Sequence, residues 1–252
     1  MYLNREDIRQ TLSEMQSFYR GLKKHFNQFE MNLESNLGRR NIFMSMAQEE
    51  FLARALRNRY ENVINDGAPG MPDVYIQDID REIECKLTTV NKSGSISFQS
   101  DYETLAQKGS LDYLYFIASP DFDSFAVLLF TGLTVEDFRP LSPGSRGKVA
   151  MKKHEGMKKC TVLWGEVINK NNIELSKLDD LIVQARQKFD NVVEVVTQKI
   201  KTTKAPKQLE KLNGRIEREH GIYRRKLDRY LGRKQYWLTD PGKYSFDLQQ
   251  VV

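Results

Sequence analysis

Asp73, Glu84 and Lys86 fall within one short run, GMPDVYIQDIDREIECKLTT (residues 70–89), at places where a strand core would take apolar groups. Alternation decides which way they point. Val74 and Ile76 mark one side of a first strand and leave Asp73, Tyr75 and Gln77 on the other. Ile83, Cys85 and Leu87 mark the apolar side of a second strand and leave Glu82, Glu84 and Lys86 opposite. A hairpin turning on DIDR or its middle pair makes partner numbers add to 159, and one turning a residue earlier makes them add to 157. Both sums are odd, so Asp73 shares a face with Glu84 and Lys86 in either register. Direct cross-strand neighbours lie about 4.5–5.5 Å apart at Cβ and diagonal ones about 7–8 Å, close enough for two carboxylates and an ammonium to converge.

Two carboxylates that close repel each other unless a cation lies between them. Mg²⁺ suits such a place, because it takes hard oxygen ligands and keeps several waters. The backbone carbonyl of Cys85 offers one more oxygen. A bound metal lowers the pKa of its water and offsets charge that builds on a phosphoryl group. Lys86 is expected to hold or deprotonate the attacking water, its own pKa depressed by neighbouring cations and partial burial. Together these groups suit phosphodiester hydrolysis. The ECK tripeptide is the only Asp/Glu-x-Lys in the chain.

The elements that must position these groups follow from periodicity. Ile8, Leu12, Met15, Tyr19, Leu22, Phe26, Phe29 and Leu33 keep one apolar seam along a helix that Gly38 is expected to stop. That seam fits this protein's own core or, alternatively, a partner chain. A second helix is expected over residues 41–64, with Phe43, Ala47, Phe51 and Ala55 on one face, ending in the turn formers DGAPGMP. Strand-like runs follow: DVYIQ, EIECKLTT and, after KSGS, a short ISF. QSDYETLAQKG (99–109) reads as a helix capped by Gly109, and DYLYFIAS and SFAVLLFTGL as buried strands. The order implies an α/β fold with a mixed central sheet flanked by helices. Beyond it, Leu178 to Val196 and Leu209 to Tyr230 make two further seams around TTKAPKQ, an expected helical hairpin with Pro206 in the first turn of its second arm. The expected organisation is an N-terminal amphipathic helix (1–38), a catalytic core (39–168) and a basic helical hairpin for DNA contact or dimerisation (169–252).

Pro72–Asp73 followed by Glu84–Cys85–Lys86, in a helix–strand–strand–strand–helix–strand order, resembles the PD-(D/E)xK nuclease superfamily. The resemblance covers roughly residues 41–133. It implies a restriction-endonuclease-like core in which Asp73 and Glu84 bind the metal and Lys86 is the catalytic lysine. Members often add an acid from the helix before the first strand. Glu49 and Glu50 are the candidates, and Glu50 is preferred as the closer to the Phe43–Ala55 arc. Gln99 resembles a polar position that some members use near the site. The implied activity is a Mg²⁺-dependent endodeoxyribonuclease similar to type II restriction enzymes, acting on double-stranded DNA as a homodimer. Two rivals remain: a repair, recombination or phage DNA-processing nuclease of the same superfamily, and a DNA-binding or scaffold protein that has lost activity.

Charge distribution agrees with a polyanionic partner. The 252 residues carry a net charge of +5, unevenly spread. Lys199–Lys234 holds thirteen Lys/Arg against four acids, and Arg146–Lys159 six against one. Arg146, Lys148, Lys152, Lys153, Lys158 and Lys159 are therefore expected to contact DNA, Arg146 with a reach to a base edge, and Arg224 and Arg225 to contribute from the helical arm. Solvated helical faces are the plainer alternative. The longest apolar run, FAVLLF (125–130), is far short of a membrane helix, and MYLNREDIRQ lacks a signal-peptide core, so a cytoplasmic location is expected. Two cysteines and three unpaired histidines exclude a disulfide framework and zinc chemistry. GIY (221–223) with YLG (230–232) has helical spacing, unlike the GIY-YIG nucleases. GSRGK (144–148) lacks the gap and the Ser/Thr of a nucleotide-binding loop, so no nucleotide is implied.

Overall fold

The chain begins with a capped helix. Asn4 and Asp7 form a reciprocal capping box that opens α1 (Arg5–Gln28), whose Ile8, Leu12, Met15 and Tyr19 are buried in this protein's own core. The computed structural model describes residues 1–67, 71–90, 96–169, 171–239 and 244–251. The expected single helix over 1–38 is in fact broken after Gln28. Glu30 takes a left-handed backbone, and the side chains of Asn32 and Asn36 each accept a backbone N–H that starts a new helical segment. The second of these is α2 (Leu37–Arg57), so Gly38 lies inside a helix rather than stopping one. Helix α2 ends well before residue 64, and Val63–Ile64 form strand β1.

Strands β2 (Val74–Ile76) and β3 (Arg81–Thr89) follow. The ISF run is not a strand. The next three residues are: β4 (Gln99–Asp101) leads directly into α3 (Tyr102–Lys108), which Gly109 caps at φ 74°. KSGS and residues 68–70 of the DGAPGMP loop lie outside the described residues. Then come β5 (Leu111–Ala118), β6 (Ser124–Leu133), β7 (Lys148–Ala150), α4 (Lys153–Lys158), β8 (Cys160–Trp164) and β9 (Glu166–Asn169). The main sheet runs β1-β2-β3-β5-β6, with β8 also on β6. Strands β1, β2 and β3 are antiparallel neighbours, β5 lies parallel to β3, and β6 is antiparallel to β5. The parallel pair needs a crossover, which the segment containing α3 provides.

Both faces of this sheet are covered, which explains why β5 is buried along its whole length. On one face Val74, Ile83, Cys85, Leu114, Phe116 and Val127 pack with α1 and α2. On the other, Tyr113, Tyr115, Leu128 and Phe130 pack with Phe98, Leu105, Val149 and Met151. The fold is thus a mixed α/β sheet flanked by helices, and the N-terminal helix belongs to its core instead of standing apart.

The chain divides into two compact units, Met1–Ile168 with Tyr244–Val252, and Asn169–Lys243. The second holds α5 (Asn171–Thr202) and α6 (Pro206–Thr239), the expected hairpin, with Pro206 at the first position of α6. Phe189 stacks on Tyr223 at 5.1 Å and Lys234 pairs with Asp179, contacts whose order along the chain makes the helices antiparallel. The expected 169–252 segment is corrected at its end. β10 (Tyr244–Asp247) pairs with β9, and β11 (Gln249–Gln250) pairs with β6, where Trp164 Nε1 donates to the Gln249 carbonyl. A β6 edge left open would expose unpaired backbone groups, and this tail covers part of it.

Candidate active site

Strand register settles the first question. Val74 lies opposite Ile83, Tyr75 opposite Glu82 and Ile76 opposite Arg81, the register whose partner numbers add to 157. Asp80, left-handed at φ 50°, closes the turn. The Gln77 N–H donates to the Asn62 carbonyl at 2.9 Å, so odd-numbered residues of β2 turn their backbone groups toward β1 and even-numbered ones toward β3. Ile83 and Cys85 therefore turn theirs toward β2, and the ladder partner due to Cys85 is Pro72. Proline has no N–H to give. The ladder stops there, and the Asp73 carboxylate takes over: its Oδ2 accepts the Cys85 N–H at 2.7 Å. The Cys85 carbonyl leaves the strand on the same side and receives no ladder bond from Pro72. One proline thus interrupts the ladder at Cys85 and lets a carboxylate take the place of a backbone partner.

Glu84 and Lys86 project from the opposite face of β3 to Cys85. Lys86 Nζ donates to Glu84 Oε1 at 2.6 Å, with side-chain exposures of 32% and 19%. Burial pushes the Asp73 carboxyl above its usual range, the Glu84 charge adds to this, and Lys86 and the Cys85 N–H oppose it. For Lys86, burial pulls the pKa down, but the charge and hydrogen bond of Glu84, followed by Asp73, outweigh it and leave the group raised. This corrects the expected depression: neighbouring carboxylates, not cations, dominate, and Lys86 is a firm ammonium. In front of Asp73 and Glu84 a cleft of about 140 Å³ opens, lined also by Pro72, Thr104 and Lys108.

The helix acid is corrected too. Glu49 feels the cluster: burial, then the charges of Asp73 and Glu84, raise its pKa to about 7 against the pull of Lys86. Glu50 instead pairs with Arg54 at 2.7 Å, its side chain 41% exposed. The cause is a rotation of α2. Its buried stripe is centred on Met44, Gln48, Leu52 and Leu56, with the expected Ala47 and Ala55 buried at its margin but Phe43 exposed and Phe51 half-buried, a turn of roughly 50°. That turn swings Glu49 toward β3 and Glu50 away. Gln48, fully buried, brings Nε2 to 3.5 Å from the Lys86 carbonyl and has no hydrogen-bond partner for Oε1. Across β3, Tyr113 stands in register with Glu84 and its hydroxyl shares a short hydrogen bond with Ser100.

No family model, curated protein or solved structure matches this chain. The chemistry of the residues therefore carries the interpretation. Among the described residues no three His, Cys, Asp or Glu side chains converge closely enough to hold a metal by themselves. The donor set nevertheless fits Mg²⁺, which is commonly held by one or two carboxylates plus waters. Asp73 and Glu84 supply hard oxygens, the Cys85 carbonyl supplies a third, and the raised carboxyls of Asp73 and Glu49 mark a place short of positive charge.

The remaining expected residues disperse. Gln99 sits in β4 with an exposed side chain, its carbonyl accepting from Tyr115 Oη at 2.8 Å. Arg146 is exposed at φ 52° in a loop that continues into β7 and not into a helix. Lys148 pairs with Asp101 at 2.5 Å, Lys158 with Glu155 at 2.7 Å, and Lys152 Nζ donates to the Glu136 carbonyl at 2.9 Å. Lys159 donates to the Gly132 carbonyl at 3.0 Å and to Asp137 at 2.7 Å. Lys153 opens α4, half-buried. Much of this basic loop is therefore occupied in holding its own fold. Arg224 and Arg225 are both exposed on α6. No helix among the described residues is long and apolar enough to cross a membrane.

Proposed function

We propose that this chain is a Mg²⁺-dependent endodeoxyribonuclease that cuts double-stranded DNA at specific sites, in the manner of a type II restriction enzyme. A cytoplasmic homodimer that uses no nucleotide belongs to the same reading, since two-fold DNA targets match two-fold proteins. The supporting observation is the end of the β2–β3 ladder before Pro72, which sets Asp73 beside Glu84–Cys85–Lys86 with Glu49 coupled to them.

Asp73, Glu84 and the Cys85 carbonyl would hold the cation. When bound, Mg²⁺ lowers the pKa of a water and draws charge from the phosphoryl group. Lys86, kept protonated, acts as a donor that orients the attacking water and steadies a phosphate oxygen. Gln48 fixes the backbone of Lys86 from the α2 side. Incubation with supercoiled plasmid, with Mg²⁺ and with EDTA, tests this. Discrete fragments with uniform ends support it, whereas cutting confined to ends or branched DNA points to a processing nuclease. The rival without catalysis has one observation in its favour, the engagement of Lys86 with Glu84 where no tight ligand cluster forms among the described residues. DNA retention with no Mg²⁺-dependent cutting, unchanged by Lys86→Ala, would select it.

A further inference from the structure

Helix α6 carries more positive charge than the whole chain nets, ten Lys/Arg against four acids over Pro206–Thr239. Its uninterrupted helical path sorts these charges by face. Lys207, Lys211, Arg218, Arg225, Arg229 and Arg233 fall within roughly 80° of one another at 3.6 residues per turn. Arg215 and Lys226 flank them, and none of the four acids, Glu210, Glu217, Glu219 and Asp228, falls in that arc. All eight cations are exposed, and none is in an ion pair with a described residue. The stripe lies roughly 140° round the helix from the seam that Tyr223 presents to Phe189 of α5. From Lys207 to Arg233 it spans about 39 Å, a little more than the ~34–36 Å of one DNA turn.

We infer that this face of α6 is a docking surface for the phosphate backbone of duplex DNA, an assignment that rests on the nuclease reading for its choice of polyanion. Charge complementarity and length are its grounds. A membrane surface fits less well, because an interfacial helix must bury its apolar face in lipid and the apolar face of α6 is packed on α5. Arg224, next in sequence to Arg225 but roughly 100° away round the helix, lies off the stripe. This assigns different roles to two residues that composition alone treats alike.

The test uses the full chain carrying Lys86→Ala, without divalent cation, titrated against a labelled 20-base-pair duplex by anisotropy at several salt concentrations. Adding Lys211→Gln, Arg218→Gln, Arg225→Gln and Arg229→Gln is expected to flatten the slope of log K against log salt by about 3 to 4, at roughly 0.9 per phosphate contact. Between 50 and 200 mM salt this is a change in salt sensitivity of about a hundredfold. Glutamine keeps helix propensity, and circular dichroism confirms that the helices persist. Arg225→Gln alone is expected to lower the slope by about 1 and Arg224→Gln to leave it unchanged. Unchanged slope in the fourfold variant, equal effects at 224 and 225, or a loss seen only with anionic vesicles or single-stranded RNA would overturn the assignment. Cleavage by the chain bearing Lys86 is scored separately. A protein that binds through the stripe and never cuts rejects the nuclease reading alone; one that cuts with an unchanged slope rejects the stripe alone.

Discussion

Replacing Glu49 by Gln should make the metal-free protein more stable, and by an amount that depends on pH. The folded pKa of Glu49 is raised from 4.5 to about 7, first by burial and then by Asp73 and Glu84. An acid that ionises less readily in the folded chain destabilises that chain wherever it must carry charge. The cost is absent below the unfolded pKa, grows as pH rises from 4.5 toward 7, and is complete above 7. The full shift corresponds to about 3 kcal/mol at pH 8 and about 1 kcal/mol at pH 5, at 1.36 kcal/mol per unit. Because Glu49 is partly open to solvent, screening brings the pH 8 figure to about 1–2 kcal/mol. Urea unfolding in EDTA at the two pH values measures both. Glu49→Gln should raise the midpoint clearly at pH 8 and barely at pH 5, and Mg²⁺ should narrow the pH 8 gap by stabilising the wild-type carboxylate cluster. An equal gain at both pH values would show that Glu49 does not feel the cluster.

Asp73→Asn keeps an acceptor for the Cys85 N–H, and Lys86→Ala removes only a donor, so both should retain duplex binding while cleavage of plasmid falls by at least about a hundredfold. Arg40 is fully buried, stacked on Phe122 and donating to Thr89 Oγ1 at 2.7 Å and to the Pro120 carbonyl. Arg40→Ala leaves a cavity and orphaned acceptors and should cost about 3–5 kcal/mol in urea unfolding, whether or not DNA is cut. Gly165, at φ 71°, would bring an added Cβ to 2.6 Å from the Asp247 carbonyl oxygen. Gly165→Ala should therefore lower stability by about 2–3 kcal/mol and loosen the C-terminal strands, visible as faster amide exchange at residues 244–250.

The hairpin chemistry was legible because its face assignment depends only on parity. Val74, Ile76, Ile83 and Cys85 are apolar in strict alternation, and either register puts Asp73 with Glu84 and Lys86; the structure takes the one whose partner numbers add to 157. The helix acid was not legible for a related reason. Phe43 and Phe51 look like core residues, yet Phe43 is exposed and the helix buries Met44, the polar Gln48 and a charged Arg40 instead. A composition rule cannot foresee that Arg40 will find carbonyls and an aromatic face inside. A partial rotation of the helix was enough to put Glu49 in the place expected of Glu50. The ISF strand failed similarly: Ile96 and Phe98 are buried but lie outside any strand, just before the β4–β7 ribbon, while the third strand of the meander is the Val63–Ile64 pair.

Three carboxylates against one ammonium leave this corner of the molecule with two uncompensated negative charges when every group is ionised. A core optimised for stability would not keep them. Apolar groups at Glu49 and Glu84 would relieve the repulsion that burial magnifies, and a non-proline residue at 72 would let the β2–β3 ladder run on. Each of these departures from good packing makes the same provision, carboxyl groups gathered beside or coupled to a small cleft with too little positive charge to satisfy them. Ordinary surface hairpins place charges in alternation too, but they leave them in water, where like charges cost little. Here Asp73 is held by a backbone N–H and Glu84 by Lys86, so neither is free to turn away. The deficit of two charges is a divalent cation's complement. It also means that the most direct physical assay of the site is calorimetric: Mg²⁺ binding to the DNA-free chain should release protons near neutral pH, as Glu49 gives up the proton that burial helps it keep, and Asp73→Asn, which removes a ligand, should diminish that release. Proton-neutral binding, measured by comparing heats in buffers of different ionisation enthalpy, would show that the cation, if it binds, binds elsewhere.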